Sequence, residues 1–462
     1  MHPGAVLASL LALAAAGGAW SWVFYERQGD ARVLFSEAAK NKAALQSSDA
    51  AHQAALVNLT SENTELRKKL AEALEAAKPA PTPGEVAERV RASRELAFVR
   101  VPEWVPAPSE EILKRLAAQA VAPVTPDMAS ARARAAKAMG FVTTEFDYRE
   151  AVANLAQARP GGFYDPATNK FLFPSDTSLA RADARENFAG ALLPVLLAQN
   201  FASAPQPEPD NDDALLASLA LARGDASFHR VYFSLNDRLR TNFDQGQAPS
   251  PPPPPAAPQF LTEMWKWSED SGNLFAQTLH QKGGVSAINN AYARPPRSTA
   301  EILHPAELYL ATPPFAPAGI TFPDTSVNGS PALFTNVVGE AALFFHVRSW
   351  ADQDAADRAT TGWAGDRYIV WPGGKDGDHV LWRSVWRSEG DAKEFFTELR
   401  TGLMSRHLIP WQKEYDAIPG QFRVDEPHRV LRLRMDGKIV TLINATDPAF
   451  AKALEEKFAP AQ

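Results

Sequence analysis

The chain has 462 residues, with 47 Lys and Arg against 54 Asp and Glu, and no cysteine. A net charge of −7 leaves no basic excess to neutralise a phosphate backbone, so no nucleic-acid partner is expected. The missing cysteine excludes disulfides, thiolate metal sites and a cysteine nucleophile, while an apolar fraction of 45% can fill at least one sizeable core.

Residues 1–27 read as a signal anchor or transmembrane helix. Val6 to Tyr25 carries no charge and has the roughly 20 apolar residues that span a hydrocarbon core, with Trp20, Trp22 and Tyr25 at its interface end. A cleaved signal peptide is the alternative, because AAAGGA offers small residues. The expectation is a single-pass membrane protein with a periplasmic or extracytoplasmic body, although Arg27 and Arg32 alone would favour the cytoplasm. Residues 28–78 form a stalk of good helix formers. Leu56, Leu59, Asn63, Leu66, Leu70 and Ala73 follow 3-4-3-4-3 spacing, the seam of a coiled coil with Asn63 at an a position. A buried Asn pairs best with its own copy, so the stalk predicts a parallel homodimer; a lone solvated helix is the alternative.

Residues 79–127 read as a proline-rich linker with short helices, its PEWVPAP and APVTPD phrases serving as connectors. Residues 128–247 form a helical half, 248–258 a proline linker, and 259–462 a C-terminal α+β half. Within these, GFYDPATNKFLFP predicts a hairpin. Glu186 to Phe201, ENFAGALLPVLLAQNF, is apolar nearly all round and predicts a buried helix despite Gly190 and Pro194. Asp212 to Ser227 predicts a second helix. Strands are expected over Arg367–Trp371 and His379–Trp386, a helix over Ala392–Met404, a hairpin over the AspGly between Val430–Arg434 and Lys438–Ile443, and a last helix over Pro448–Phe458. The expected fold class is mainly α with small antiparallel hairpins, an α+β body on an N-terminal transmembrane helix and coiled-coil stalk.

The phrases GGFYDPATNKFLF, LLAQNF, LALARGDAS, GGVSAINNAYARPPRSTAEILHP, NVVGEAALFF and GWAGDRYIVW, in that order, resemble a family of uncharacterised bacterial proteins of the zincin metallopeptidase type. The resemblance covers roughly Met128 to Phe396. It implies a zincin-like body whose buried helix would carry His-Glu-x-x-His, two zinc ligands and a general base, with a third ligand on the next helix. In the register it implies, Gly190 and Pro194 stand at the histidine positions, Ala191 at the base and Arg223 at the third ligand. All four groups are missing, and Arg223 would repel a divalent ion. No two of the nine histidines stand at i, i+3 or i+4.

No metal or other cofactor is therefore expected, and the reading leans away from an enzyme. Glu340 and Glu186 are the candidate cavity charges, Glu340 first, as partners of a buried Arg223. Asp366 and Arg367 read as a local strand-start network and His304 as a turn residue. Trp265, Trp267, Trp363, Trp371, Trp382 and Trp386 could line a groove but read first as core. There is no Gly-x-Ser-x-Gly elbow and no nucleotide loop. The expected function is that of a membrane-anchored, catalytically inactive pseudopeptidase acting as a binding or scaffold protein of the cell envelope. Its partners would be the membrane, a second copy, and a peptide or envelope protein. The alternatives are an active hydrolase with a relocated metal or non-metal site, and a structural envelope protein acting through its coiled coil.

Overall fold

A computed structural model of the chain describes residues 28–77, 80–158, 161–240, 256–322, 324–375, 377–412, 415 and 417–458. Two units are distinguished, divided between Ala77 and Lys78. In the first, one helix, α1 (Gln28–Ala77), runs for 50 residues. Leu56, Leu59, Leu66 and Leu70 on it are 60–65% exposed, and Asn63 accepts from Arg67 Nε at 2.9 Å.

The membrane-spanning expectation is corrected. Among the described residues no helix is long and apolar enough to cross a membrane, and Val6–Tyr25 lies outside them. The single-pass, extracytoplasmic placement rested on that helix and falls with it.

The second unit opens with α2 (Pro83–Arg94), whose Thr82 and Glu85 complete a capping box around Pro83 at the first helical position. This stretch packs as core: Val86, Ala87 and Val90 are buried. PEWVPAP, expected as a connector, is strand β1 (Glu103–Ala107). Pro106 is tolerated because β1 is an edge strand, bonded on one side only. Then come α3 (Ser109–Val121), α4 (Pro126–Met139, capped by Thr125) and α5 (Tyr148–Ala156, capped by Asp147). The expected hairpin is β2 (Phe163–Asp165) and β3 (Lys170–Pro174); β1 joins β3 in parallel to give a three-stranded sheet ordered β1-β3-β2.

Three long helices follow. α6 (Ala182–Asn200) contains Pro194, α7 (Asp212–Arg240) continues well past Ser227, and α8 (Gln259–Ala293) breaks locally where Gly284 adopts φ 63°. The proline tract between α7 and α8 lies outside the described residues, but the two helices meet directly. A Cβ on Gly224 would lie 2.0 Å from the Gly272 carbonyl carbon, and one on Gly272 would lie 2.0 Å from the Ala220 oxygen, so both positions admit only hydrogen. On one side of this crossing Asp225 is fully buried and ties three helices. It accepts from Arg94 Nη2 at 2.9 Å and from Tyr292 Oη at 2.9 Å, and it lies 2.8 Å from His229 Nδ1. Burial pushes the Asp225 carboxyl up, but His229 and Arg94 outweigh it and hold it below its ordinary value.

The remaining elements are α9 (Thr299–Leu303), a π turn over Pro305–Tyr309, β4 (Phe334–Asn336), α10 (Glu340–Arg348), α11 (Gln353–Thr360), β5 (Trp363–Trp371), β6 (His379–Trp386), α12 (Glu389–Arg406), β7 (Gln421–Glu426), β8 (Arg429–Asp436), β9 (Ile439–Ala445) and α13 (Pro448–Lys457). The expected small hairpins are parts of one six-stranded sheet ordered β4-β5-β6-β9-β8-β7, and β4 and β7 were not foreseen. It is buried on both faces. Tyr368, Val370 and Trp382 face one core, and Ile369, Trp371 and Leu381 the other. The body is thus α+β, with two sheets.

A polar junction links the helices to this sheet. Asp366 on β5 accepts from the backbone N–H groups of Val338 and Gly339 at 2.9 Å and from the indoles of Trp363 and Trp382 at 3.0 Å. Asp213, in the first turn of α7, accepts from the Thr299 amide at 2.9 Å and from its hydroxyl. Thr299 Oγ1 in turn accepts from Ala341 N at 3.1 Å. Gly339, at φ 80°, leaves no room for a Cβ beside Asp213. Burial raises the Asp213 carboxyl from 3.8 to about 8. The folded chain keeps this proton to about pH 8, whereas the unfolded chain releases it near 3.8. The stability it contributes is complete below the unfolded value and is lost as pH rises through the folded one. Asp213→Asn, whose amide oxygen still accepts from Thr299, should therefore flatten the fall in stability between about pH 4 and pH 8, read from urea midpoints of variant and parent. Parallel pH profiles for the two proteins would contradict the assignment.

Candidate functional site

The long helices enclose a cavity of about 460 Å³. Helical spacing determines which side chains reach it. From α6 come Asn187, Gly190, Ala191, Pro194 and Ala198, and from α7 Leu219, Arg223, Ser227 and Arg230; both sets follow i, i+3/i+4 steps along one face. α8 adds Trp265 and Glu269, one turn apart, and β2 adds Phe163 and Tyr164. The stretch expected to be buried all round therefore has an open stripe. Asn187, Pro194 and Ala198 are exposed, while Phe188, Leu192, Leu193 and Leu196 on the other side are buried.

Gly190, Ala191, Pro194 and Arg223, far apart in sequence, all line this one cavity. What fills the space around them is an ion-pair cluster. Glu269 accepts from Arg223 Nη2 through Oε2 at 3.2 Å and from Arg230 Nη2 through Oε1 at 3.1 Å, and Ser227 Oγ lies 3.4 Å from the same Oε1. The Arg223 guanidinium lies over the Trp265 ring, 3.6 Å from its centroid, a cation–π contact. Arg230 passes over Gly190: a Cβ there would lie 3.1 Å from Arg230 Cδ. A ligand side chain at position 190 would have to displace this arginine. Pro194 has no N–H to give the Gly190 carbonyl one turn earlier, so the helix carries a broken bond on its cavity face.

The two acidic candidates stand differently from expectation. Glu340 does not line the cavity. It is 3% exposed at the start of α10, and its Oε1 lies 2.7 Å from His304 Nε2. That hydrogen bond raises the His304 pKa against the opposing effect of burial. Glu186 lies closer to the cluster. Its carboxylate stands 4.0 Å from Arg230 Nε and accepts from Ser234 Oγ at 3.0 Å. The carboxylate bonded to Arg223 is Glu269, which the sequence reading missed. Arg230 was legible, two turns after Arg223 on one face. Glu269 was not, because only the crossing of α7 and α8 brings it near. Of the six tryptophans, Trp265 lines the cavity; Trp267, Trp363, Trp371, Trp382 and Trp386 are buried. Asp366 is more than a local strand-start residue, and Arg367 pairs with Asp210 at 2.6 Å.

Among the described residues no group of three His, Asp or Glu could hold a metal ion. Residues 330–455 match the family described as Domain of unknown function (DUF8575), a segment that contains none of the cavity residues. No curated protein and no solved structure matches the chain.

Because Glu269 bridges two largely buried arginines, Glu269→Gln should destabilise the chain by about 2 kcal/mol, between the ranges for exposed and fully buried pairs. Combining it with Arg223→Met should cost less than the two single changes added. Urea unfolding of the four proteins measures the coupling, and strict additivity would show the bridge to be energetically idle.

Proposed function

We propose that the body is a non-hydrolytic binding domain of zincin-like ancestry, with its ligand site in the α6–α7–α8 cavity. One observation carries the reading. The four positions that the resemblance equates with ligands and base converge on one cavity, where an Arg223–Glu269–Arg230 cluster stands in place of metal-binding groups. Two guanidiniums beside the site disfavour a divalent cation by Coulomb repulsion. A cavity of this size, apolar with a few convergent polar groups, has the character of a small-molecule or peptide site.

The full chain, dialysed against equimolar zinc, is expected to retain no stoichiometric metal and to leave casein and a peptide library uncut. One equivalent of zinc held through gel filtration, and lost on replacing histidines, would favour the relocated-metal hydrolase instead.

The second unit of the proposal is the helix α1, acting as a homodimer seam. The support is the row of exposed leucines interrupted by Asn63. A polar a position costs stability but fixes register and strand number. A peptide of residues 28–77 should therefore sediment as a dimer at tens of micromolar, and Asn63→Leu should melt higher while losing its single oligomeric state. Monomer throughout that concentration range would refute the seam.

A further inference from the structure

The chemistry of the cavity wall defines the ligand more narrowly, granted that the cavity is a binding site as proposed above. We infer that it takes a small apolar monocarboxylate, with the carboxylate received by Arg223 and Arg230 and the apolar body lying along α6.

The first argument is charge. The charged groups lining the cavity are Arg223, Arg230 and Glu269, two cations against one anion. Glu186, the nearest further carboxylate, does not line it. Both guanidiniums are held in place, Arg223 flat on Trp265 and Arg230 across Gly190, and both reach one point, the Glu269 carboxylate, at 3.1–3.2 Å. Preorganised guanidiniums present planar forks of donors that suit a carboxylate, and they hold it more strongly where water is partly excluded.

The second argument is the rest of the wall. Ala191, Pro194, Val195, Ala198 and Leu219 give it an apolar surface. Most of it is helix, whose backbone N–H and C=O groups are already spent within the helices. A peptide bound there would bring amide groups needing partners that this surface does not offer, at a cost for each one left unpaired. An aliphatic acid needs partners only at its head. The cavity volume lies within the range of small-molecule sites, so a medium-chain acid fits.

The test is calorimetric titration of the full chain at about pH 7.5, where a carboxylic acid is ionised, with decanoate, decanol, and the tetrapeptide Ala-Leu-Ala-Leu as free acid and as amide. The expected result is one decanoate per chain, bound more tightly than decanol by about tenfold or more, the worth of a charge-assisted contact. Arg223→Met should narrow that gap. Ala198→Trp, which fills the cavity from an exposed helix position, should abolish decanoate binding while leaving the circular dichroism unchanged. Equal binding of decanoate and decanol would overturn the inference and leave the binding site standing. So would tight binding of the free-acid peptide without decanoate. Retention of decanoate by a folded Ala198→Trp chain would place the ligand elsewhere and overturn the inference. If none of the four probes binds, the proposed binding site itself fails.

Discussion

The arrangement of the helical half depends on one steric constraint, the contact of α7 and α8 at Gly224 and Gly272, where neither helix tolerates a methyl group. Close approach without side chains brings the flanking residues together. Arg223 immediately precedes Gly224, and Glu269 lies one turn before Gly272, so the salt bridge between them follows from the crossing. On another face of α7, Asp225 reaches Arg94 of α2 and Tyr292 of α8, which fixes the rotation of the two helices about the contact. A larger residue at either glycine would part the helices and separate both polar clusters at once.

The cavity next to that crossing shows features that a metal site would not tolerate. Arg230 covers the position where a ligand would project from residue 190, and Pro194 removes a helix hydrogen bond at the cost of a few kcal/mol. Both are consistent with a helix released from holding ligands at fixed geometry. The neighbouring leucines keep the opposite face in the core, so α6 stays continuous through the proline.

Much of the fold was legible wherever a signal is local. The AspGly turn between β8 and β9, the hairpin β2–β3, the long strands β5 and β6, and α13 beginning at Pro448 all come from turn and capping chemistry within a few residues. What escaped was non-local. Sheet order depends on pairings such as β6 with β9 across more than fifty residues, and β1 was concealed because Pro106 reads as a connector unless its edge position is known. The same distinction runs through the site. Helical periodicity places Gly190, Ala191 and Pro194 on one face, and Arg223 with Arg230 on another, but no sequence spacing indicates that Glu269 and not Glu340 completes the cluster. Glu340 looked available because it is acidic in an apolar run; His304, thirty-six residues earlier, already holds it.

The junction around Gly339 separates two kinds of boundary. Similarity to a described family extends over residues 330–455. The turn inside that segment is gripped from two sides, by Asp366, which belongs to it, and by Asp213 and Thr299, which do not. Inheritance and folding therefore divide this chain at different places. A fragment trimmed to the shared segment would keep the acceptor on β5 and lose the wall against which the glycine is pressed. The recurring segment is better regarded as a tile shaped to a neighbour than as a freestanding domain, and proteins that share it would have to provide an equivalent of the Asp213–Thr299 surface from elsewhere in their own chains.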